Sequence, residues 1–365
     1  MRNDQQYMLR AIELAERGIG FVNPNPLVGA VIVKDGEIIG EGWHEKYGEP
    51  HAERNALRNC KKSTEGATIY VTLEPCCHYG KTPPCTEAII DNKIAEVVIG
   101  SSDPNSKVRG KGVEILKKNG IKVETGVLKE ECDKLNSIFF HYITTDKPYV
   151  IMKYAMTIDG KISTFSGDSK WITGKDARNH VHKTRKSVSA IMVGIGTVLA
   201  DDPMLNCRIE NPKNPIRIIC DNKLRIPMDC QIVKTAKEIN TYVVTISHDE
   251  VKRKRLEKSG VKVISAKEKD GRIDLNYLMK YLGSMKIDSI LLEGGAELNY
   301  SALQSGIVSR IQVYIGPKIF GGESAKSPVG GLGIEKVKDA FTFSKPTVTY
   351  FEEDILLEYE WERKK

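Results

Sequence analysis

Nothing in this 365-residue chain offers a membrane span, because no apolar run approaches the roughly 18 residues that cross a bilayer. The start, Met1-Arg2-Asn3-Asp4, is polar and lacks the regions of a secretory leader. A cytoplasmic setting is therefore expected, in which the eight cysteines stay reduced and serve metal ligation rather than disulfides. A cationic first half is also missing. Of 55 Lys+Arg and 48 Asp+Glu, residues 1–145 hold 19 and 20, leaving 36 and 28 for residues 146–365. A protein that acts on polynucleotides needs a basic groove for phosphates, so nucleic acid is not an expected partner. The excess of the second half suits small polyanions, although part of it lies in the solvated run Lys252-Arg253-Lys254-Arg255.

What the chain does have is a cluster of metal-ligating residue types between His51 and Cys85. It opens with His51-Ala52-Glu53 and closes with Pro75-Cys76-Cys77-His78-Tyr79-Gly80-Lys81-Thr82-Pro83-Pro84-Cys85. One imidazole and two thiolates hold zinc tetrahedrally and leave the fourth position to water, whose pKa the ion lowers to about 7. Glu53 then has the place of a proton carrier between that water and a departing amine. Zinc deaminases carry H-x-E followed by P-C-x-x-C. Here eight residues, not two, separate Cys76 from Cys85. Pro83-Pro84 can open a helix with Thr82 as its cap, which puts Cys85 in a first turn, where a thiolate is favoured. Cys76 is preferred to Cys77 because it directly follows the proline. A closed structural site would instead recruit Cys77 or His78 as a fourth ligand.

A chain of this length is expected to form two domains, here 1–145 and 146–365. In the first, Asp4 opens a helix with an apolar stripe from Tyr7 to Ala15. Strands at 27–33 and 37–43 meet at Asp35-Gly36, a favoured type I′ pair. The run 52–59 is helical, with His51 and Glu53 at its start. Strands at 68–73 and 97–100 with a helix between them form a βαβ unit, so that both metal-binding segments meet at helix starts beside the sheet's edge. Asn23-Pro24-Asn25-Pro26 and Asp103-Pro104-Asn105 read as turns by composition alone. A polar junction is expected near 141–148.

The second domain alternates strand and helix, with strands expected at 149–156, 190–193, 216–220, 241–246, 261–265, 290–292 and 310–315. Several are continuous apolar runs, as in strands covered on both faces. Two glycine sites follow strands: Gly194-Ile195-Gly196-Thr197 and Glu293-Gly294-Gly295. Neither is G-x-G-x-x-G, so an ordinary dinucleotide fold is not indicated. Lying beyond strand ends and near Arg185 and Arg208, they suggest a phosphate-bearing ligand.

The first half resembles the cytidine-deaminase superfamily, and its P-C-C-H-Y-G-K-T-P-P-C variant looks like the bacterial bifunctional riboflavin-biosynthesis deaminase-reductases. The likeness continues through Lys153-Tyr154-Ala155-Met156-Thr157-Ile158-Asp159-Gly160-Lys161, Ser169-Lys170-Trp171-Ile172-Thr173-Gly174, the 194–205 stretch and Glu293-Gly294-Gly295. It implies an α/β/α deaminase-like domain followed by a dihydrofolate-reductase-like α/β domain. By the same resemblance, His51, Cys76 and Cys85 bind zinc, and Glu53 moves protons. Asn25, His44, His78, Lys81, Asp103 and Asn105 line the deaminase pocket. Ala155, Trp171, Thr197, Asp201 and the segment Gly294, Gly295, Ala296, Glu297, Leu298, Asn299 and Tyr300 contact NADPH. Lys153, Ser169, Arg185, Leu205, Arg208 and Glu293 hold the substrate, an arginine fork being suited to a 5′-phosphate. The implied partners are a phosphorylated pyrimidinone and, in a homo-oligomer, further copies of this chain, with no membrane.

Two rival readings give different chemistry. A nucleic-acid or nucleoside deaminase shares the zinc motif but leaves the second domain without a task. The second domain could also be a non-catalytic module that assembles deaminase subunits, in which case it consumes no NADPH.

Overall fold

In the computed structural model, the described residues are 4–80 and 82–361. They form two compact units, one ending at Asp146 and the other beginning at Lys147. The first contains α1 (Asp4–Glu16), β1 (Gly29–Lys34), β2 (Glu37–Trp43), α2 (Ala52–Arg58), β3 (Thr68–Leu73) and α3 (Cys85–Asp91). It continues with β4 (Glu96–Ser101), α4 (Lys111–Lys118), β5 (Lys122–Thr125), α5 (Lys129–Leu135) and α6 (Ser137–Thr145). The sheet order is β2-β1-β3-β4-β5. β1 is antiparallel to both neighbours, and β3, β4 and β5 are parallel.

Strand periodicity explains why β1 is apolar throughout. Ala30 and Ile32 join the cluster containing Ala52 and Ala56 of α2 and Ile89 of α3. The alternate residues Val31 and Val33 meet Met8, Ala11 and Leu14 of α1. A sheet sandwiched between two helical layers results. Gly29 lets α1 approach directly, since a Cβ there would lie 1.9 Å from the Ala11 carbonyl oxygen. Asp35 and Gly36 turn the β1–β2 hairpin at φ of 51° and 78°, the left-handed pair of a type I′ turn.

The second unit contains β6 (Tyr149–Thr157), α7 (Lys175–Ser187), β7 (Ala190–Gly194), α8 (Ile195–Asp201), β8 (Ile216–Cys220), α9 (Gln231–Lys234), β9 (Thr241–Thr245) and α10 (Glu250–Lys258). Then come β10 (Lys262–Ser265), β11 (Glu268–Lys269), β12 (Arg272–Ile273), α11 (Leu275–Ser284), β13 (Ser289–Leu292) and α12 (Ala296–Gln304). The last strands are β14 (Val308–Gly316), β15 (Thr347–Phe351) and β16 (Asp354–Glu360). The main sheet runs β10-β9-β8-β7-β13-β6-β14-β16-β15. It is parallel from β10 to β14 and closes with an antiparallel hairpin.

Three sequence expectations are corrected. The stretch read as a polar junction begins inside a helix: α6 runs to Thr145, because Phe139 packs on the core while its threonines bond back to carbonyls of His141 and Phe140. Thr82 does not cap α3, whose N-cap is Pro84 without a side-chain bond. The Cys76 segment leaves the middle strand β3, not an outer one.

Candidate functional site

β3 ends at Leu73, and Glu74-Pro75-Cys76 continue beyond its carboxyl end. The Cys76 carbonyl accepts from the Cys85 and Thr86 amides at 3.0 and 3.2 Å, which clasps the start of α3 to the end of β3 across the inserted residues. His51 is the N-cap of α2, in extended conformation. These three placements bring His51, Cys76 and Cys85 together, with one donor atom of each within 4.8 Å of the others. His51 Nδ1 lies 3.5 Å from both the Cys76 and Cys85 sulfurs. Tetrahedral zinc with bonds of about 2.3 Å to sulfur and about 2.05 Å to nitrogen places such atoms about 3.6 Å apart. The donor set and its spacing therefore fit zinc. On the far side of the ring, Thr82 Oγ1 lies 3.4 Å from His51 Nε2. The Cys77 sulfur instead faces the Lys107 carbonyl at 3.8 Å. Cys85→Ser should therefore lower bound zinc well below one per chain, whereas Cys77→Ser should leave it at one. Metal analysis of both proteins checks this, and unchanged zinc in the first would move the ligand elsewhere.

Electrostatics divide the two thiols. The Cys85 thiol donates to Cys76, burial opposes, and with His51 the balance holds the Cys76 thiol well below its ordinary value. The same bond, with burial, pushes Cys85 well up. Glu53 is buried, and burial together with the Cys76 charge raises its pKa against the pull of His51. A carboxyl so placed keeps a proton more readily than one in water.

The group opens into a cavity of about 310 Å³ that also touches Asn25, His44, His78, Asp103 and Asn105. The His44 Nδ1 donates to the Pro50 carbonyl at 3.1 Å, so its Nε2 accepts from the Asn25 amide at 3.1 Å. Burial lowers the His44 pKa and keeps the ring neutral. Asp103 is pushed up to about 6 by burial, although its carboxylate accepts from the Asn105 amide at 2.8 Å. Lys81 lies outside the described residues. Glu74 was not foreseen. Its buried carboxylate accepts from the amides of Gly110, Gly112 and Val113 at 3.1 to 3.3 Å, anchoring the start of α4. The proline after it gave a strand-end signal but none of a long-range anchor.

In the second unit a cavity of about 510 Å³ gathers Lys153, Ala155, Ser169, Trp171, Arg185, Thr197, Asp201, Leu205, Arg208, Glu293, Gly295 and Asn299. Arg185 and Glu293 form a two-pronged pair at 2.7 and 2.8 Å, both largely buried. Of the two arginines expected at the substrate, Arg185 spends two donors on Glu293 and a third on the Asn206 carbonyl at 3.0 Å, and exposed Arg208 is the freer cation. Burial alone would raise the Glu293 pKa, but Arg185 and Lys153 bring it down to about 2. Lys153 is lowered by burial and partly restored by Glu293. His182, which the sequence did not single out, lies 3.3 Å from the Arg208 guanidinium, and burial beside Arg185 and Arg208 holds it near 4.

The expected NADPH segment 294–300 is divided among three faces, because a helix turns successive side chains by about 100°. Only Gly295 and Asn299 reach this cavity. Glu297 and Leu298 line a neighbouring one. Ala296 and Tyr300 pack on the loop near Gly330 and Gly331. Gly294 is required by packing, since a Cβ there would come within 2.9 Å of Leu292 and Leu298. Asn299 Oδ1 is buried without a hydrogen-bond partner, while its Nδ2 donates to the Pro328 carbonyl at 2.9 Å. An unsatisfied acceptor on a cavity-lining residue fits a ligand with an amide or hydroxyl donor, such as the nicotinamide end of NADPH.

Comparisons with known proteins agree with this geometry. Residues 1–101 match the cytidine and deoxycytidylate deaminase zinc-binding region, and residues 148–357 match the RibD C-terminal domain. The chain is 57% identical over 356 residues to the riboflavin biosynthesis protein RibD of Actinobacillus pleuropneumoniae, covering 98% of this chain and 95% of that one. It is 42% identical to the RibD of Aquifex aeolicus, covering 97% of both. Among solved structures, Acinetobacter baumannii RibD is similar with a TM-score of 0.87 and 38% identity, covering 99% of each chain. A diaminohydroxyphosphoribosylaminopyrimidine deaminase/5-amino-6-(5-phosphoribosylamino)uracil reductase from Thermotoga maritima is similar with a TM-score of 0.87 and 39% identity, covering 98% of each.

Proposed function

From the premise that this chain belongs to the RibD family of riboflavin-biosynthesis proteins, we propose that its two halves carry out consecutive reactions on one phosphorylated pyrimidinone. The chain is a bifunctional deaminase and reductase, with a zinc-binding deaminase region and a reductase region of the NADPH-dependent type. The first substrate in this reading is 2,5-diamino-6-ribosylamino-4(3H)-pyrimidinone 5′-phosphate, which loses a ring amino group. The second step reduces the ribosyl portion of the product to ribityl. The observation that carries the reading is His51 Nδ1 standing 3.5 Å from two sulfurs, with buried Glu53 beside them.

His51, Cys76 and Cys85 would hold zinc, which when bound would supply a water acidified to about neutrality. Glu53, buried beside these ligands with its pKa raised by burial, is the residue that would hold and move a proton between the attacking and departing groups. Neutral His44 fixes the Asn25 amide, which with Asp103 and Asn105 orients the pyrimidinone ring. In the second half, NADPH supplies the reducing equivalents. Arg185 and Glu293 brace each other at the sugar, Lys153 sits beside them, and Arg208 meets the 5′-phosphate. Asn299, whose buried Oδ1 has no hydrogen-bond partner, is the residue that would accept from a donor on the cofactor.

Among the described residues no helix is long and apolar enough to cross a membrane. A cytoplasmic setting, which keeps ligand thiols reduced, goes with the reading. So does a homo-oligomer, supported by the outer strand β15, which leaves Val348 and Tyr350 exposed. The test is a two-step assay on the purified protein. Ammonia release from the pyrimidinone phosphate, followed by NADPH oxidation that depends on the deaminated product, is expected. Ammonia release only from transfer RNA or single-stranded DNA would reject the substrate, and absent NADPH oxidation would leave the second half a scaffold.

A further inference from the structure

We infer that Tyr314 is a positioning residue of the reductase: the face of its ring holds the Lys153 ammonium at the substrate cavity, and His180 holds the ring. This rests on the reading that the second half is a reductase.

The arrangement follows from strand periodicity. Lys153 and Ala155 of β6 share one face of the sheet. In register beside them stand Gln312 and Tyr314 on β14, then Glu358 and Leu356 on β16. α7 covers this face, with Ala177 and Val181 packed against Tyr314 and Leu356. Tyr314 is fully buried. Opposite it Ala155 offers only a methyl, and the Lys153 Nζ lies 5.6 Å from the centroid of the tyrosine ring. The tyrosine hydroxyl and His180 Nδ1 are 2.7 Å apart, and the His180 ring in turn lies 5.0 Å from that of Phe351 on β15. The ring is thus held at its tip while its face is turned to the ammonium.

Such a partner suits Lys153 because the nearest acids are already engaged. Glu293 gives both oxygens to Arg185, at 2.7 and 2.8 Å, and Glu358 accepts from the Gln312 amide at 2.9 Å. Among the described residues Lys153 has no ion-pair partner. The charged and titratable groups that face it are Glu293 on the turn after β13, and Arg185 and His182 on α7. Lys170, Arg178, Asp201, Asp202 and Arg208 line the same cavity. Burial and Arg185 work against the Lys153 charge, and Glu293 supports it. An aromatic face attracts an ammonium through the ring quadrupole without tying up its three N–H donors, so these stay available to substrate oxygens. A carboxylate in the same place would hold the charge but compete with the substrate for it.

The test uses the full chain and reads Lys153 itself. Acetic anhydride acylates the neutral amine, so the pH dependence of Lys153 labelling, followed by peptide mass spectrometry, gives the pH at which the side chain is half protonated. Tyr314→Leu should move that midpoint down by roughly 0.5 to 1.5 pH units, the worth of one cation–π contact. The alkaline limb of kcat/KM for NADPH-dependent reduction should move down with it, and kcat/KM at neutral pH should fall about 5- to 30-fold. Tyr314→Phe, which keeps the ring, should leave both pH values in place. Tyr314→Met is a second variant without a ring, and thermal unfolding of all three checks that the half has folded. An unmoved midpoint in the folded variants without a ring, or an equal shift in Tyr314→Phe, would overturn the proposal while NADPH oxidation by the unaltered protein still upheld the reductase. A lowered midpoint in a protein that oxidises no NADPH would uphold the hold of the ring on Lys153 and overturn the reductase reading.

Discussion

Glu53→Gln should keep its zinc and lose deamination by about 10²- to 10⁴-fold, the usual contribution of a positioned proton carrier. The carboxylate is outside the ligand group, so the amide removes proton transfer without removing a ligand. Stability should not suffer. The amide keeps the size and shape of the buried carboxyl, so the variant should unfold at about the same temperature. NADPH oxidation with deaminated substrate should be unaffected. Loss of zinc along with activity would mean that Glu53 acts on the site's structure and not on protons.

Glu293→Gln should silence the reductase and destabilise its half by about 3–5 kcal/mol, the cost of leaving a buried charge without its partner. Glu293 is bonded twice to Arg185, at 2.7 and 2.8 Å, and Lys153 lies in the same buried group. Removing one negative charge strands both cations. The pH dependence of the intact protein follows from the same group. A carboxylate depressed to about 2 contributes stability that is full above its ordinary value near 4.5 and is lost as pH falls through about 2. The pair should therefore hold unchanged from pH 7 to about 5 and weaken below that. Thermal unfolding of wild type and variant across this range, with deamination as an internal control, measures it. A variant as stable as wild type at pH 7 would show that solvent, not Glu293, balances Arg185.

The parts of this molecule that were legible in its sequence are those specified by short-range chemistry. Asp35-Gly36 demanded a hairpin, continuous apolar runs marked covered strands, and H-A-E with P-C gave a donor set. Asp274 caps α11 by accepting from the Tyr277 amide, a local bond of the kind Asp makes at helix starts. What escaped depends on residues far apart in the chain. Glu74 finds its three amide donors 36 to 39 residues later. His182 acquires its surroundings only once α7 packs beside the loop carrying Arg208. Arg185 and Glu293 were both read as substrate contacts, but their bond to each other, across 108 residues, had no sequence signal. The β15–β16 hairpin was missed although Val348, Tyr350 and Phe351 are strand formers, and β15 itself is largely exposed. The sequence marked 294–300 as one segment, but not that the rotation of its helix sends the side chains to three different neighbours.

The central claim is that His51, Cys76 and Cys85 hold the ion that deamination requires, while reduction proceeds at a separate place. The most direct measurement follows both activities of one preparation through removal of zinc by a chelator and its stoichiometric return. Ammonia release should vanish with the ion and come back with it, while NADPH oxidation on deaminated substrate continues throughout. Ammonia release at full rate from zinc-free protein would contradict the claim.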